Sequence, residues 1–164
     1  MSGVLRVIAT VVAIYLLEST VLYRLGPVFR SIDLLLLYVA WLAMRKGAVD
    51  GILIGLGIGL FRSIVWSGPV GAEVVAFGVA AWFAGEAHRH LVGESVVGLL
   101  LIVSGTVIVH DLVLLFTQIP DGLLSVIARF VLVSVPSGIV TALVGVFLFE
   151  VRRRLSRPPR KAVG

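Results

Sequence analysis

The sequence has 164 residues, of which 59% are hydrophobic and only 14% are charged. A soluble domain carries about 25% charged residues, so this composition and the mean hydropathy of +1.12 exclude a soluble protein. We interpret the chain as one all-α integral membrane domain, with room for five or six spans of about 20 residues each. The absence of cysteine excludes disulfides and thiolate metal sites.

The net charge of +5 does not indicate nucleic-acid binding. Six of the fourteen basic residues lie in the last thirteen positions, where the positive-inside rule accounts for them. We therefore interpret residues 150–164 as a basic cytoplasmic tail that contacts anionic lipid at the membrane surface.

Six apolar runs follow one another, and we predict that each forms a transmembrane helix. The first run lacks the small-residue cleavage site of a signal peptide, so we expect an uncleaved helix. The second run would rise only about 20 Å as a helix, which is short for a hydrocarbon core of about 30 Å. The predicted spans are residues 5–23, 32–44, 48–66, 69–87, 95–116 and 123–149.

The third and fourth runs carry small residues at four-residue spacing. On a helix such residues form a stripe without bulky side chains, and in lipid these stripes are a main source of helix packing. We predict that the third and fourth helices form a tight hairpin with the two small faces together. The stripes are Gly47, Gly51, Gly55 and Gly59 on the third helix, and Ala72, Ala76, Ala80 and Ala84 on the fourth.

The polar link between the fourth and fifth runs, residues 86–94, contains His88 and His90. A third metal ligand at fixed spacing is missing, so we interpret both histidines as solvated loop residues. From a second polar link, with Pro120 and Gly122, we predict a turn before the sixth run.

The distribution of basic residues predicts the orientation of the chain. Six spans place both termini on one side of the membrane. If that side is the cytoplasm, it holds ten of the fourteen basic residues and the opposite side holds three. The remaining one, Arg129, lies inside the sixth run. We therefore predict cytoplasmic N- and C-termini.

Few ionisable side chains lie inside the predicted spans, and each is a functional hypothesis because a charge at membrane depth is costly. With cytoplasmic termini, all of them lie toward the outer leaflet. They are Glu18, Arg62, Glu73, His110, Asp111 and Arg129.

Asp111 and Arg129 lie at matching depths on the fifth and sixth predicted helices, about 8 to 9 Å below their outer ends. Since pairing is the usual remedy for a charge at membrane depth, we predict an ion pair between them. Glu18 or Glu73 is the alternative partner of Arg129.

The sequence shows no pattern typical of catalysis. Only His110 and Asp111 begin to resemble an acid–base pair, and adjacent residues of a helix point about 100° apart, so they do not form a natural dyad. A phosphate-binding loop is also missing. We predict a protein that is not an enzyme and that needs no cofactor.

Several short motifs between residues 15 and 91 are typical of one family of bacterial membrane proteins. They are Leu17-Glu18-Ser19-Thr20, Ile32-Asp33-Leu34, Arg45-Lys46-Gly47, the run from Gly51 to Leu60, and Ser67-Gly68-Pro69-Val70-Gly71. On these motifs the chain resembles the MreD family, the small six-span subunit of the machinery that elongates rod-shaped cells. The chain departs from the family in two places. The family often has a proline where Ile32 stands, and an aspartate where this chain has Phe61-Arg62-Ser63.

The resemblance implies a location, a fold and partners. The location is the bacterial cytoplasmic (inner) membrane, and the fold is similar to that of the substrate-binding subunits of energy-coupling-factor transporters. The implied partners are MreC, the RodA glycosyltransferase and its class B penicillin-binding protein, and a homodimer is a further implication.

Two functions from different classes follow. The first is a non-enzymatic scaffold of peptidoglycan elongation, and the second is a substrate-binding subunit of a vitamin or metal transporter. A transporter subunit needs a cavity with several convergent polar groups, whereas a scaffold fills that space with side chains. The chain has no Asn and only one Gln, Gln118, so we favour the scaffold.

Overall fold

The computed structural model describes residues 3–22, 24, 32–66, 70–90, 95–117, 128 and 130–155. Within these ranges the secondary structure is helical and includes no strand, which confirms the predicted all-α class. Within the same ranges, three stretches are long and apolar enough to cross a membrane, which is compatible with the predicted membrane protein. They are Ala48–Val65, Val96–Thr117 and Phe130–Val151.

The described residues form six α-helices, α1 to α6 in chain order. The first continues into a π-helical turn, Glu18–Leu22, and the last is preceded by another, Phe130–Ser134. The helices are α1 (Gly3–Leu17), α2 (Leu34–Lys46), α3 (Ala48–Trp66), α4 (Val70–His90), α5 (Val96–Thr117) and α6 (Val135–Leu155). The predicted beginning of the sixth span, residues 123–127, lies outside the described residues.

Helix α4 is longer than predicted, and the interpretation of His88 and His90 as loop residues is wrong. Both lie in its last turn, together with Arg89. Basic side chains there complement the negative end of the helix dipole. In addition, His90 Nε2 lies 2.9 Å from Glu86 Oε1 one turn earlier, a pairing that favours continued helix.

The short helix α2 lies at the centre of the bundle and packs against the other five helices. Its fully buried residues lie on one face, and the remaining residues from Leu34 to Met44 are half-buried. Asp33 caps its beginning by accepting a hydrogen bond from the Leu36 amide at 2.8 Å, and the chain leaves it at Gly47. Its buried residues are Leu35, Leu36, Val39, Ala40, Leu42 and Ala43.

Helices α3 and α4 form the most extensive contact of the described bundle. A Cβ atom on Gly55 would lie 2.5 Å from the Phe77 carbonyl oxygen, and one on Gly59 would lie 2.7 Å from the Glu73 carbonyl oxygen. Only glycine permits backbones to approach this closely. A Cβ on Gly51 would meet Ala43 of α2 at 2.7 Å, so the stripe packs against two helices.

Gly47 does not belong to this packing stripe. It ends α2 with a backbone φ of +92°, and a Cβ added there would meet nothing within 4 Å. Its amide donates to the Ala43 carbonyl at 2.9 Å. The basic pair before it and its positive φ are typical of a helix C-terminus, so this glycine serves the turn between α2 and α3.

The alanine stripe is buried, but the glycines do not meet it. Ala76, Ala80 and Ala84 are fully buried, and Ala72 is nearly so. The glycines contact the neighbouring row of α4, which contains Glu73, Phe77 and Ala81. The expectation that the two small faces lie together is wrong because α4 also packs against α2 and α5 and needs small residues on more than one face.

Candidate functional site

A group of ionisable side chains lies where α1 and α3 end and where α2 and α4 begin, beside the second half of α5. We call this group the polar cluster. Its members come from separate parts of the chain and are largely withdrawn from the surface. They are Glu18, Asp33, Arg62, Glu73, His110 and Asp111.

The centre of the polar cluster is the ion pair between Arg62 of α3 and Asp33 at the beginning of α2. Arg62 Nη1 contacts Asp33 Oδ2, and the two side chains are only 13% and 16% exposed. The other oxygen of Asp33 caps α2, and its own amide donates to Thr141 Oγ1 of α6 at 3.4 Å. One carboxylate therefore fixes the beginning of α2 and compensates the buried guanidinium.

Glu18 provides a second carboxylate at the beginning of α2. Its Oε1 accepts hydrogen bonds from the amides of Leu34 at 2.6 Å and Leu35 at 3.4 Å. The first amides of a helix have no partner within the helix, and in a membrane water does not supply one. The carboxylate also faces the positive end of the helix dipole, so Glu18 ties the end of α1 to α2.

The third part of the polar cluster is an imidazole between two carboxylates. His110 is 3% exposed, and its Nδ1 lies 3.1 Å from Asp111 Oδ1. On its other side Nε2 lies 3.6 Å from Glu73 Oε2, which is itself 3.9 Å from Arg62 Nε. The last two separations are typical of ion pairs and too long for direct hydrogen bonds.

His110 and Asp111 are in contact although they are adjacent on one helix. Their Cα–Cβ bonds do diverge by about 100°. Nδ1, however, is the ring nitrogen nearest to the backbone of its own residue, and the carboxylate of the next residue can turn back to reach it. The contact orients the imidazole so that Nε2 faces Glu73 on α4.

Phe77 packs against two members of the polar cluster, His110 and Arg62. Its side chain is fully buried, and its ring meets the His110 ring edge-on, with centroids 4.8 Å apart. The guanidinium carbon of Arg62 lies 5.3 Å from the centroid of the same ring. A cation above an aromatic face is stabilised by the ring quadrupole, so Phe77 stabilises the guanidinium of Arg62 and also packs against the imidazole of His110.

The structure brings together five residues that the sequence indicated one by one, namely Glu18, Arg62, Glu73, His110 and Asp111. Asp33 was missed as a site residue, although an aspartate directly before an apolar run is a typical N-cap signal. Asp111 contacts His110. Arg129 lies outside the described residues, so its ion pair with Asp111 stays a prediction.

The polar cluster is suited to joining helices. Glu18 and Asp33 accept hydrogen bonds from amides in the first turn of α2, and Arg62, Glu73 and His110 connect α2, α3, α4 and α5. Within the part of the chain that the structure describes, no group of three His, Cys, Asp or Glu residues is placed to hold a metal ion.

A cavity of about 400 Å³ lies between α1, α2, α5 and α6, and one end of it reaches Leu17 and Leu34, next to Glu18 of the polar cluster. Its lining is almost entirely apolar and includes Ile14, Leu37, Val103 and Leu148. Such a lining lacks the convergent polar groups that would recognise a polar solute.

The chain matches no family model, no characterised protein and no solved structure. A proposal for the function of this protein therefore rests on the polar cluster, the apolar cavity and the sequence motifs.

Proposed function

We propose that this chain is a non-enzymatic scaffold subunit of the MreD type, which binds MreC in the bacterial cytoplasmic membrane and helps to organise peptidoglycan synthases. The observation that supports this most is the polar cluster, in which the ionisable groups at membrane depth engage one another and the beginning of α2. In a substrate-binding subunit these groups would be expected to converge on a cavity. The apolar lining of the 400 Å³ cavity also favours a scaffold over a subunit that binds a polar substrate.

A scaffold needs helices whose relative positions are fixed, and the contacts of the polar cluster supply such restraints. Asp33 and Glu18 determine where α2 begins, and Arg62 connects α2 to α3. Removing one partner of a buried charge pair costs about 3 to 5 kcal/mol, so each connection resists rearrangement. The outer faces of the helices then present fixed patterns to a partner.

The outer faces of α1 and α6 carry apolar side chains at helical spacing. On α1, Leu5, Ile8 and Leu16 are about half exposed. On α6, Ile139, Leu143 and Phe147 are more than half exposed at four-residue spacing. Both faces can contact lipid or the transmembrane helix of a partner.

We further propose that all six helices cross the membrane, with cytoplasmic termini and a fold similar to that of substrate-binding subunits of energy-coupling-factor transporters. Helix α2 has 13 residues and rises about 20 Å, so its beginning at Asp33 lies below the headgroups. The hydrogen bonds of Glu18 and Asp33 to its first amides suit that depth. A C-terminal reporter that is active only outside the cell would contradict this orientation.

The test of the proposed function is capture of MreC from the same genome. The tagged full-length chain and MreC are produced together, extracted in mild detergent and purified through the tag. We expect MreC to remain bound, while an unrelated six-span protein with the same tag retains none. A folded chain that captures no MreC but binds a vitamin or a transition metal with micromolar affinity would establish the transporter subunit instead.

A further inference from the structure

The apolar cavity between α1, α2, α5 and α6 has the dimensions of a site for a lipid chain. Along α2 its lining extends from Leu34 to Met44. Ten residues of helix rise about 15 Å, which is half of a hydrocarbon core of about 30 Å. The cavity therefore extends through the depth of one leaflet.

The cavity opens toward the surrounding lipid. Two of its lining residues, Leu17 and Leu148, are each 49% exposed. They belong to α1 and α6, which do not pack extensively against each other in the described ranges. An acyl chain can therefore enter sideways from the bilayer.

One end of the cavity is basic. Trp41 and Met44 line it, and the guanidinium carbon of Arg45 lies 4.8 Å from the centroid of the Trp41 ring. Tyr38, another lining residue, stacks on Trp41 with centroids 5.9 Å apart and keeps the indole in place. Lys46 follows in the last turn of α2, so two exposed cations lie where that helix reaches the membrane surface.

We propose that this cavity binds one anionic phospholipid, with an acyl chain between α1, α2, α5 and α6 and the phosphate held by Arg45 and Lys46. The apolar lining suits an acyl chain, and the two cations complement the negative charge of the headgroup. Anionic headgroups are attracted to basic residues at the membrane surface, and arginine binds phosphate with two parallel hydrogen bonds. The inference depends on the chain being embedded in a membrane and is independent of MreC.

The preference for an anionic headgroup is tested by native mass spectrometry of the full-length protein. The protein is titrated with phosphatidylglycerol or phosphatidylcholine that carry identical acyl chains. We expect one phosphatidylglycerol to be retained in preference to phosphatidylcholine. Arg45→Gln should weaken its binding about fivefold, since one basic contact at the surface is lost. Arg89→Gln is the matched control, because Arg89 is also exposed in the last turn of a helix but lies on α4, away from the cavity.

The site for the acyl chain is tested with two pairs of substitutions. In each pair one substitution fills the cavity and the other lies outside it. Leu17→Trp fills it, and Leu16→Trp is its control, since Leu16 is 56% exposed and does not line the cavity. Leu148→Trp and Leu143→Trp form the second pair, on α6, in case the first filled variant does not fold. We expect the filled variants to retain at least about fivefold less phosphatidylglycerol, and the controls to bind as the wild type does.

Three results would overturn the proposal. The first is equal retention of the two lipids by the wild type, and the second is an equal loss for Arg45→Gln and Arg89→Gln. The third is a photo-crosslinker at Leu148 that, in native membranes, captures a protein helix instead of phospholipid.

Discussion

The α3–α4 interface and the polar cluster hold the same two helices together in different ways. In the interface, Gly55 and Gly59 bring the two backbones into contact. In the polar cluster, Arg62 on α3 and Glu73 on α4 lie 3.9 Å apart, and further partners come from α2 and α5. The interface sets the distance between two neighbours in sequence. The polar cluster determines which other helices surround them.

The largest effect is expected for Gly55→Leu. The Cβ would meet the Phe77 carbonyl oxygen at 2.5 Å and the Ala81 Cβ at 2.9 Å, and a backbone atom cannot move aside as a side chain can. We expect the variant not to accumulate in the membrane as a folded protein. The measurement is its yield and its thermal unfolding in detergent.

Gly57→Leu is the matched control on the same helix. Gly57 is exposed, and a Cβ there would meet nothing within 4 Å. This variant should be as stable as the wild type or slightly more stable, because leucine has the better helix propensity. If both leucine variants unfold alike, the glycine stripe is not the contact that closes the hairpin.

The next largest effect is expected for Arg62→Met, which breaks the polar cluster and leaves the interface intact. Asp33 and Glu73 would lose their buried cation, at a cost of about 3 to 5 kcal/mol in the free energy of unfolding. Arg89→Met removes an exposed arginine and should change stability by less than about 0.5 kcal/mol. Similar unfolding curves for the two variants would show that Arg62 reaches solvent or headgroups by itself.

A smaller effect is expected for Glu18→Gln. The amide can still accept from Leu34 and Leu35, but its hydrogen bonds are no longer charge-assisted, so we expect a loss of about 1 kcal/mol. Glu86→Gln changes a carboxylate that pairs with an exposed histidine and should cost less than about 0.5 kcal/mol. If Glu86→Gln lost more stability than Glu18→Gln, this would contradict a stabilising role of Glu18 at the beginning of α2.

The sequence predicts the interface better than the polar cluster for a physical reason. Four-residue spacing is a local property of one helix, so the packing role of Gly51, Gly55 and Gly59 can be recognised without knowing the neighbours. Gly47 shares the spacing, but the helix ends before it. The spacing alone does not show this, whereas the preceding Arg45-Lys46 is a signal of a helix end.

The polar cluster depends on contacts between distant parts of the chain. Asp33 and Arg62 are 29 residues apart, and Glu18 and Leu34 are 16 apart. Sequence patterns indicate that each charge at membrane depth needs a partner, but they do not indicate which one. The choice follows from the central position of α2, which places its first turn beside α1 and α3.

The most direct test of the account is a double-mutant cycle between Asp33 and Arg62, measured as the free energy of unfolding in a lipid bilayer. The single variants Asp33→Asn and Arg62→Met each break the pair, and the double variant removes both charges. We expect the double variant to lose less stability than the two single losses added together, by about 2 kcal/mol or more. Losses that add within about 0.5 kcal/mol would contradict the claim that the buried ion pair between Asp33 and Arg62 holds α2 and α3 together.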